Sequence, residues 1–264
     1  MRKDCREEWF DAEKKVAVTM VDVTSAAQAL ARGHLAGPTA AHYLTKALAA
    51  AALLGAEVSE KDETVILQAK CSGPLGGYTA ECTAAGTLRG YTEKKLLDAF
   101  DGMGRPDDRL VIGKEQVQVT RSVPGKILSQ GISASLDGYL AGSLQRKAVI
   151  QLEAAVSDEV EILCARGILV EELPDGRDTG VLGVVFKSLA VSSRKLLDQL
   201  GLKAAELKKT TPLSFACRCS PERATAMLAA LSEEEREKLP PTLDITCHMC
   251  GRTFSVATGN GERG

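Results

Sequence analysis

Four cysteines in the last fifth of the chain are the residues best placed to do chemistry. Cys217 and Cys219 form a C-x-C, 27 residues intervene, and Cys247 and Cys250 form a C-x-x-C. Two close thiol pairs suit a tetrahedral zinc site, because each pair supplies two ligands from one local turn and the chain between them only has to fold back. A thioredoxin-like use of Cys247 and Cys250 lacks the βαβ pattern it needs. His248 is a further donor, but four thiols already complete a tetrahedral set, so it reads as a spectator. Cys5, Cys71, Cys82 and Cys164 are scattered along the chain and read as small apolar residues or free thiols.

The residues between the pairs have the punctuation of a small folded module. Ser220-Pro221 is a helix cap followed by proline, residues 222–231 carry apolar side chains at helical spacing, and Ser232-Glu233-Glu234-Glu235 matches a capping box. Residues 243–246 and 253–256 flank the second pair as two short strands. Such a module has almost no core, so bound zinc would supply most of its folding free energy, roughly 10–16 kcal/mol in comparable sites.

The rest of the chain must position this module. Its 264 residues, 44% of them hydrophobic, are enough to bury a sizeable core, which excludes disorder of the whole chain. Thirty-three basic against 35 acidic side chains leave a formal charge of -2 and no global field for nucleic acid or an anionic membrane. The longest apolar run, residues 47–56, is ten residues where a membrane span needs about 20, and reads as a buried helix. No secretory signal is read at residues 1–8, so the expected compartment is a reducing cytoplasm.

Strands are predicted at 16–23, 64–71, 78–82, 87–91, within 110–121, at 147–156 and at 161–173. Helices are predicted from Thr24 or Ser25 to Leu30, from about 39 to 54 with Gly55 stopping it, and over 136–145. Residues 101–108 read as a surface loop, and the turn Pro174-Asp175-Gly176-Arg177-Asp178 as a domain boundary. From 181 to 209 the pattern turns helical, with apolar faces that must lean on something else. The expected fold class is therefore α+β. A mixed N-terminal domain with antiparallel sheets and helices (1–175) leads through a helical linker (176–210) to a small four-cysteine zinc domain (211–257) and a tail (258–264).

At this point the chain resembles the heat-shock protein 33 family of redox-regulated holdase chaperones, whose hallmark is a C-x-C followed about thirty residues later by a C-x-x-C. Phe215-Ala216-Cys217-Arg218-Cys219-Ser220-Pro221-Glu222-Arg223 is similar to the segment leading into the family's zinc-domain helix. Leu53-Leu54-Gly55-Ala56, Gly73-Pro74-Leu75-Gly76, Leu88-Arg89-Gly90-Tyr91, Ser129-Gln130-Gly131, Ser143-Leu144-Gln145 and Gly167-Ile168-Leu169-Val170 follow the family in the same order. The chain departs from it at Leu239-Pro240-Pro241-Thr242, at His248-Met249, at Arg146-Lys147 and in a shorter stretch over 174–215.

The resemblance implies one zinc ion on Cys217, Cys219, Cys247 and Cys250 in the reduced state. On oxidation it implies the disulfides Cys217–Cys219 and Cys247–Cys250, loss of the metal, unfolding of tail and linker, and capture of unfolded client proteins on newly exposed apolar surface. It also implies a domain-swapped homodimer, a role in oxidative and heat stress, and no nucleotide. No G-x-x-x-x-G-K-[ST] or G-x-G-x-x-G phosphate loop occurs in the sequence.

Three other readings are weighed against this one. A structural zinc knob without redox switching uses the same four ligands. A zinc-ribbon nucleic-acid binder would need a basic tail, yet Arg218, Arg223, Arg236, Lys238, Arg252 and Arg263 are outnumbered by Glu222, Glu233, Glu234, Glu235, Glu237, Asp244 and Glu262. An enzyme with an appended zinc domain would need a convergent set of Asp, Glu, His or Lys groups, and none is recognisable in the first 175 residues. His34 and His42 are read as structural.

Overall fold

The computed structural model describes residues 3–104, 106–174 and 179–258. The turn at 174–178 and the tail lie almost wholly outside the described residues. β1 (Cys5–Asp11) and β2 (Val16–Asp22) form a hairpin with Cys5 opposite Asp22. The helices α1 (Thr24–His34) and α2 (Pro38–Leu54) follow. β3 (Thr64–Cys71), β4 (Gly77–Thr83) and β5 (Thr87–Thr92) make an antiparallel meander. After one helical turn, α3 (Asp108–Val111), come the hairpin β6 (Glu115–Val123) and β7 (Lys126–Ser133). A short turn, α4 (Leu136–Gly138), precedes the long hairpin β8 (Lys147–Val156) and β9 (Ile162–Glu172). α5 (Ser193–Gln199), β10 (Glu206–Pro212) and β11 (Ser214–Phe215) lead to the cysteine module, with α6 (Pro221–Ala229), α7 (Glu233–Glu237), β12 (Thr242–Thr246) and β13 (Thr253–Ala257).

These strands form a five-stranded sheet in the order β10-β1-β2-β9-β8, a six-stranded sheet β11-β5-β4-β3-β6-β7 and a two-stranded ribbon β12-β13. All pairs are antiparallel except β11 with β5, which run parallel. α2 packs against strands of both large sheets and buries every residue but Pro38 and Lys46. A helix that is apolar all round belongs in a core, and its alanines let both sheets come close. Among the described residues no helix is long and apolar enough to cross a membrane.

Gly55 acts differently from the expected helix stop. It keeps right-handed backbone and continues into a single 3-10 turn. Its lack of a side chain serves packing, because a Cβ there would lie 2.6 Å from the Arg6 guanidinium and 2.7 Å from the Cys82 sulfur. Arg6 is itself almost fully buried and donates to the Ala52 carbonyl at the end of α2 at 3.1 Å. Neither Thr24 nor Ser25 caps α1: the carboxylate of Asp4 does so, accepting from the N–H groups of Ser25 at 3.0 Å and Ala26 at 2.7 Å.

Three further expectations are corrected. Strand β6 begins only at Glu115, because the Asp107 side chain accepts from Arg109 N–H at 2.9 Å and starts a helical turn there. Residues 136–145 wind as one α-turn and a wider π-turn at Tyr139–Ser143, in a stretch weakened by Gly138 and Gly142. The linker is helical only in part. Val181–Gly183 is a 3-10 turn and Ser193–Gln199 an α-helix, but Glu206–Pro212 is a strand on the open edge of β1, with Thr211 opposite Arg6.

What the linker leans on is also defined. One face of the five-stranded sheet presents Val16, Val18, Met20, Ile168 and Val170, and these form a second core with Val181, Phe186, Leu189, Leu196, Leu197, Leu200 and Leu202. The linker is thus a lid laid across a sheet that would otherwise expose an apolar face.

Candidate metal centre

Each thiol pair is held by its own local turn. The first follows β11, whose pairing with β5 is continued by Ala216 N–H donating to Leu88 C=O at 3.1 Å. Ser220 then caps α6, its hydroxyl accepting from Arg223 N–H at 3.3 Å, and Pro221 occupies the first turn. The second pair lies in the tight turn between β12 and β13, where Gly251 N–H donates to Cys247 C=O at 2.8 Å and Cys247 N–H to Arg252 C=O at 2.8 Å. Ala224, Leu228 and Val256 pack with Leu243, Ile245 and Phe254 as the module's own core, and Ser232 with Glu235 makes the expected capping box. Three buried side chains are too few to hold such a module alone.

The fold brings all four predicted residues together. The sulfurs of Cys217, Cys219, Cys247 and Cys250 lie within 4.8 Å of one another, with 3.7 Å between Cys217 and Cys247 and 3.5 Å between Cys219 and Cys250. Thiolates about 2.3 Å from one tetrahedral zinc stand roughly 3.8 Å apart, so the donor set fits that ion in number, type and spacing. The His248 ring is not in this cluster and packs edge-on against Tyr91, with ring centres 3.9 Å apart.

The electrostatics distinguish the sulfurs. Burial raises the Cys217 thiol, but hydrogen bonds from Cys219, Arg89 and Cys250 outweigh it and bring it down to about 7. Burial pushes Cys219 and Cys250 upward. Cys71, Cys82 and Cys164 are each pushed up to about 11, chiefly by burial, and so remain protonated, inert thiols at neutral pH. Cys71 and Cys82 do not face each other across the turn, since Val65 stands opposite Cys82.

Sequence reasoning missed the seat on which this centre rests. The second turn docks on the end of α1 and on β5: Gly90 N–H donates to Met249 C=O at 3.1 Å, and the buried His34 ring bonds Gly90 C=O at 2.8 Å. Burial holds His34 below the ordinary histidine value. A Cβ on Gly33 would sit 2.6 Å from the Cys250 carbonyl oxygen, and Gly251, with φ +73°, faces Gly33 from the other side. Beside the first pair, the buried Glu81 carboxylate accepts from Arg89 at 2.9 and 2.6 Å and from Arg218 at 3.0 Å, and Arg89 reaches the Cys217 sulfur at 3.9 Å. The one signal in the sequence for this seat is a glutamate in the middle of a buried strand.

Residues 8–257 match the family model described as Hsp33 protein. The chain belongs to the heat-shock protein 33 family. A 33 kDa chaperonin of Thermus thermophilus is 27% identical over 90% of this chain and 79% of its own, and one of Symbiobacterium thermophilum is 28% identical over 84% of each. Among solved structures, the heat shock protein 33 homolog of Thermotoga maritima superposes with a TM-score of 0.81 at 20% identity, covering 98% of this chain and 96% of that one. Membership of the heat-shock protein 33 family makes the chain a chaperone of that type rather than an enzyme. Arg146 joins Glu57 and Glu171 in an ion cluster, with 3.0 Å to the latter.

Proposed function

We propose that this chain is a redox-regulated, ATP-independent holdase of the cytoplasm. When reduced, Cys217, Cys219, Cys247 and Cys250 ligate one zinc ion, which keeps the thiolates deprotonated and supplies the folding free energy that the small C-terminal domain lacks. The working division is 1–175 as client-binding and dimerising domain, 176–210 as linker, 211–257 as redox switch and 258–264 as tail. The observation that carries this reading is the sulfur cluster, joined by a short strand to a linker that covers an apolar sheet face.

Peroxide would oxidise the thiolates in two steps. In each, two thiolates give two electrons to one peroxide, an S–S bond forms, and the peroxide O–O bond breaks to leave as water or hydroxide. By family resemblance the pairs are Cys217 with Cys219 and Cys247 with Cys250. Sulfurs tied in disulfides no longer ligate, the module loses its fold, and the linker leaves the sheet. Val16, Val18, Met20, Ile168 and Val170 then become a surface for unfolded clients, which suits a near-neutral chain that recognises partners without strong charge. The active form is a homodimer by family resemblance, and a resting state with its cluster cysteines reduced suits a reducing compartment.

The test measures zinc content and suppression of client aggregation in one sample before and after peroxide at raised temperature. Zinc should leave and aggregation should fall only after treatment. Zinc retained, or equal holdase activity in both states, leaves a structural zinc knob and ends the switch.

A further inference from the structure

Over residues 184–191 the linker has neither helix nor strand, yet it is held at five backbone atoms by three side chains of the sheet. The Gln151 amide takes both polar groups of one residue: it accepts from Phe186 N–H at 3.0 Å and donates to Phe186 C=O at 2.7 Å. The Glu153 carboxylate accepts from Leu189 N–H and from the Ser188 hydroxyl at 3.0 Å. The Arg166 guanidinium donates to Leu189 C=O at 2.8 Å and to Val191 C=O at 3.5 Å, and Asp22 steadies it at 2.9 Å.

These groups are organised by register. Asp22, Arg166 and Glu153 stand opposite one another on three adjacent strands, and Met20, Ile168 and Gln151 form the next row of the same face. A polar row therefore borders the apolar rows. Along the linker, Phe186 and Leu189 are 5% and 2% exposed, whereas Val185 is 83% exposed. Two apolar side chains three residues apart enter the core, and the sheet holds the backbone groups of those same two residues and of Val191.

We propose that Gln151, Glu153 and Arg166 form a backbone-reading clamp for extended peptide segments, and that linker residues 186–191 occupy it as a built-in surrogate for a client. The proposal rests on the holdase reading and adds the chemistry of recognition. Every peptide offers the N–H and C=O groups the clamp takes, so sequence is read only at the two apolar anchors and, through Glu153, at the residue before the second, where a hydroxyl adds a hydrogen bond. Proline at either anchor is excluded because it lacks the N–H. The preferred client is an unfolded segment with two large apolar residues three apart.

The probe is a fluorescent peptide of residues 184–191, titrated into the full-length chain in its reduced, zinc-loaded form and in its oxidised form. It should bind the oxidised form at least about tenfold more tightly, because the reduced form holds its own segment there. N-methylation at the Phe186 and Leu189 nitrogens keeps the side chains and removes two donors. It should weaken binding about tenfold, as should Gln151→Leu in the protein, each lost hydrogen bond being worth roughly 2- to 12-fold. Should Gln151→Leu fail to fold, the methylated peptide against the unaltered protein carries the test. Equal binding of parent and methylated peptides to an oxidised form that still suppresses aggregation would overturn the clamp and leave the holdase reading standing. If oxidation releases no zinc and neither form holds clients, the holdase reading falls and the clamp with it.

Discussion

Truncating Leu197 to alanine should open the linker while leaving the rest of the protein closed. Leu197 is fully buried on α5, in the core that the linker leucines share with the sheet residues Val18 and Ile168. Leu→Ala at such a site costs about 2–5 kcal/mol, part of it lost transfer energy and part the cavity left behind. Taking about 3 kcal/mol, and tenfold per 1.36 kcal/mol, the opening equilibrium of the linker rises about 150-fold. The assay is amide hydrogen exchange on reduced, zinc-loaded protein. The amides of Leu200 and Leu202, which donate to Leu196 C=O at 3.1 Å and Leu197 C=O at 2.8 Å, should exchange about 100-fold faster in Leu197→Ala. Those of β3, in the core around α2, should keep their wild-type rates, and the reduced variant should gain holdase activity with its zinc still bound. Equal acceleration in β3 would show that the linker and the core around α2 open as one unit, and refute the idea of a separable lid.

Gly33→Ala should separate docking from metal binding. The helix gains a better former, but the new Cβ meets the Cys250 carbonyl, so zinc stoichiometry should hold while limited proteolysis near 217–220 speeds up. Cys250→Ser removes the buried member of the sulfur cluster; on the proposed function zinc content should fall, and the β12–β13 amides should lose exchange protection while those of α2 keep theirs. Arg121→Met should cost about 3 kcal/mol at pH 7 by stranding the fully buried Glu63. Burial alone would raise that carboxyl, but bonds from Arg121, Ser59 N–H and Glu60 N–H hold it below the ordinary range. The pair's stability is therefore present above about pH 4.3, the unfolded value, and is lost as pH falls through the lower folded value. The gap in Tm between Arg121→Met and wild type should shrink accordingly in acid.

The four-cysteine cluster was legible because each pair is local: spacing alone places two sulfurs on one turn. Elements with strong apolar patterns, such as α2 and β9, were equally plain. β1 was hidden because Arg6, Glu7 and Glu8 look like solvated chain, whereas Arg6 is buried against Ala52. β10 was hidden because an edge strand is protected by the same lysines that mark an exposed helix, and six of its seven residues are exposed. The seat of the metal centre was illegible for a different reason. Gly33, Glu81 and Arg89 acquire their roles only when topology brings α1, β4 and β5 beneath the cysteine turns.

The strand β10 has a consequence for turnover. Thirty-three residues lie between Glu172, the end of β9, and Glu206, the start of β10, and both ends are paired within one sheet. So long as those pairings last, a released linker is a closed loop, and its docking segment stays at an effective concentration on the order of millimolar above its own site. A client bound with micromolar affinity then competes with a tethered rival that never diffuses away. In the proposed cycle, reduction of the thiols lets that rival empty the surface by chain connectivity alone.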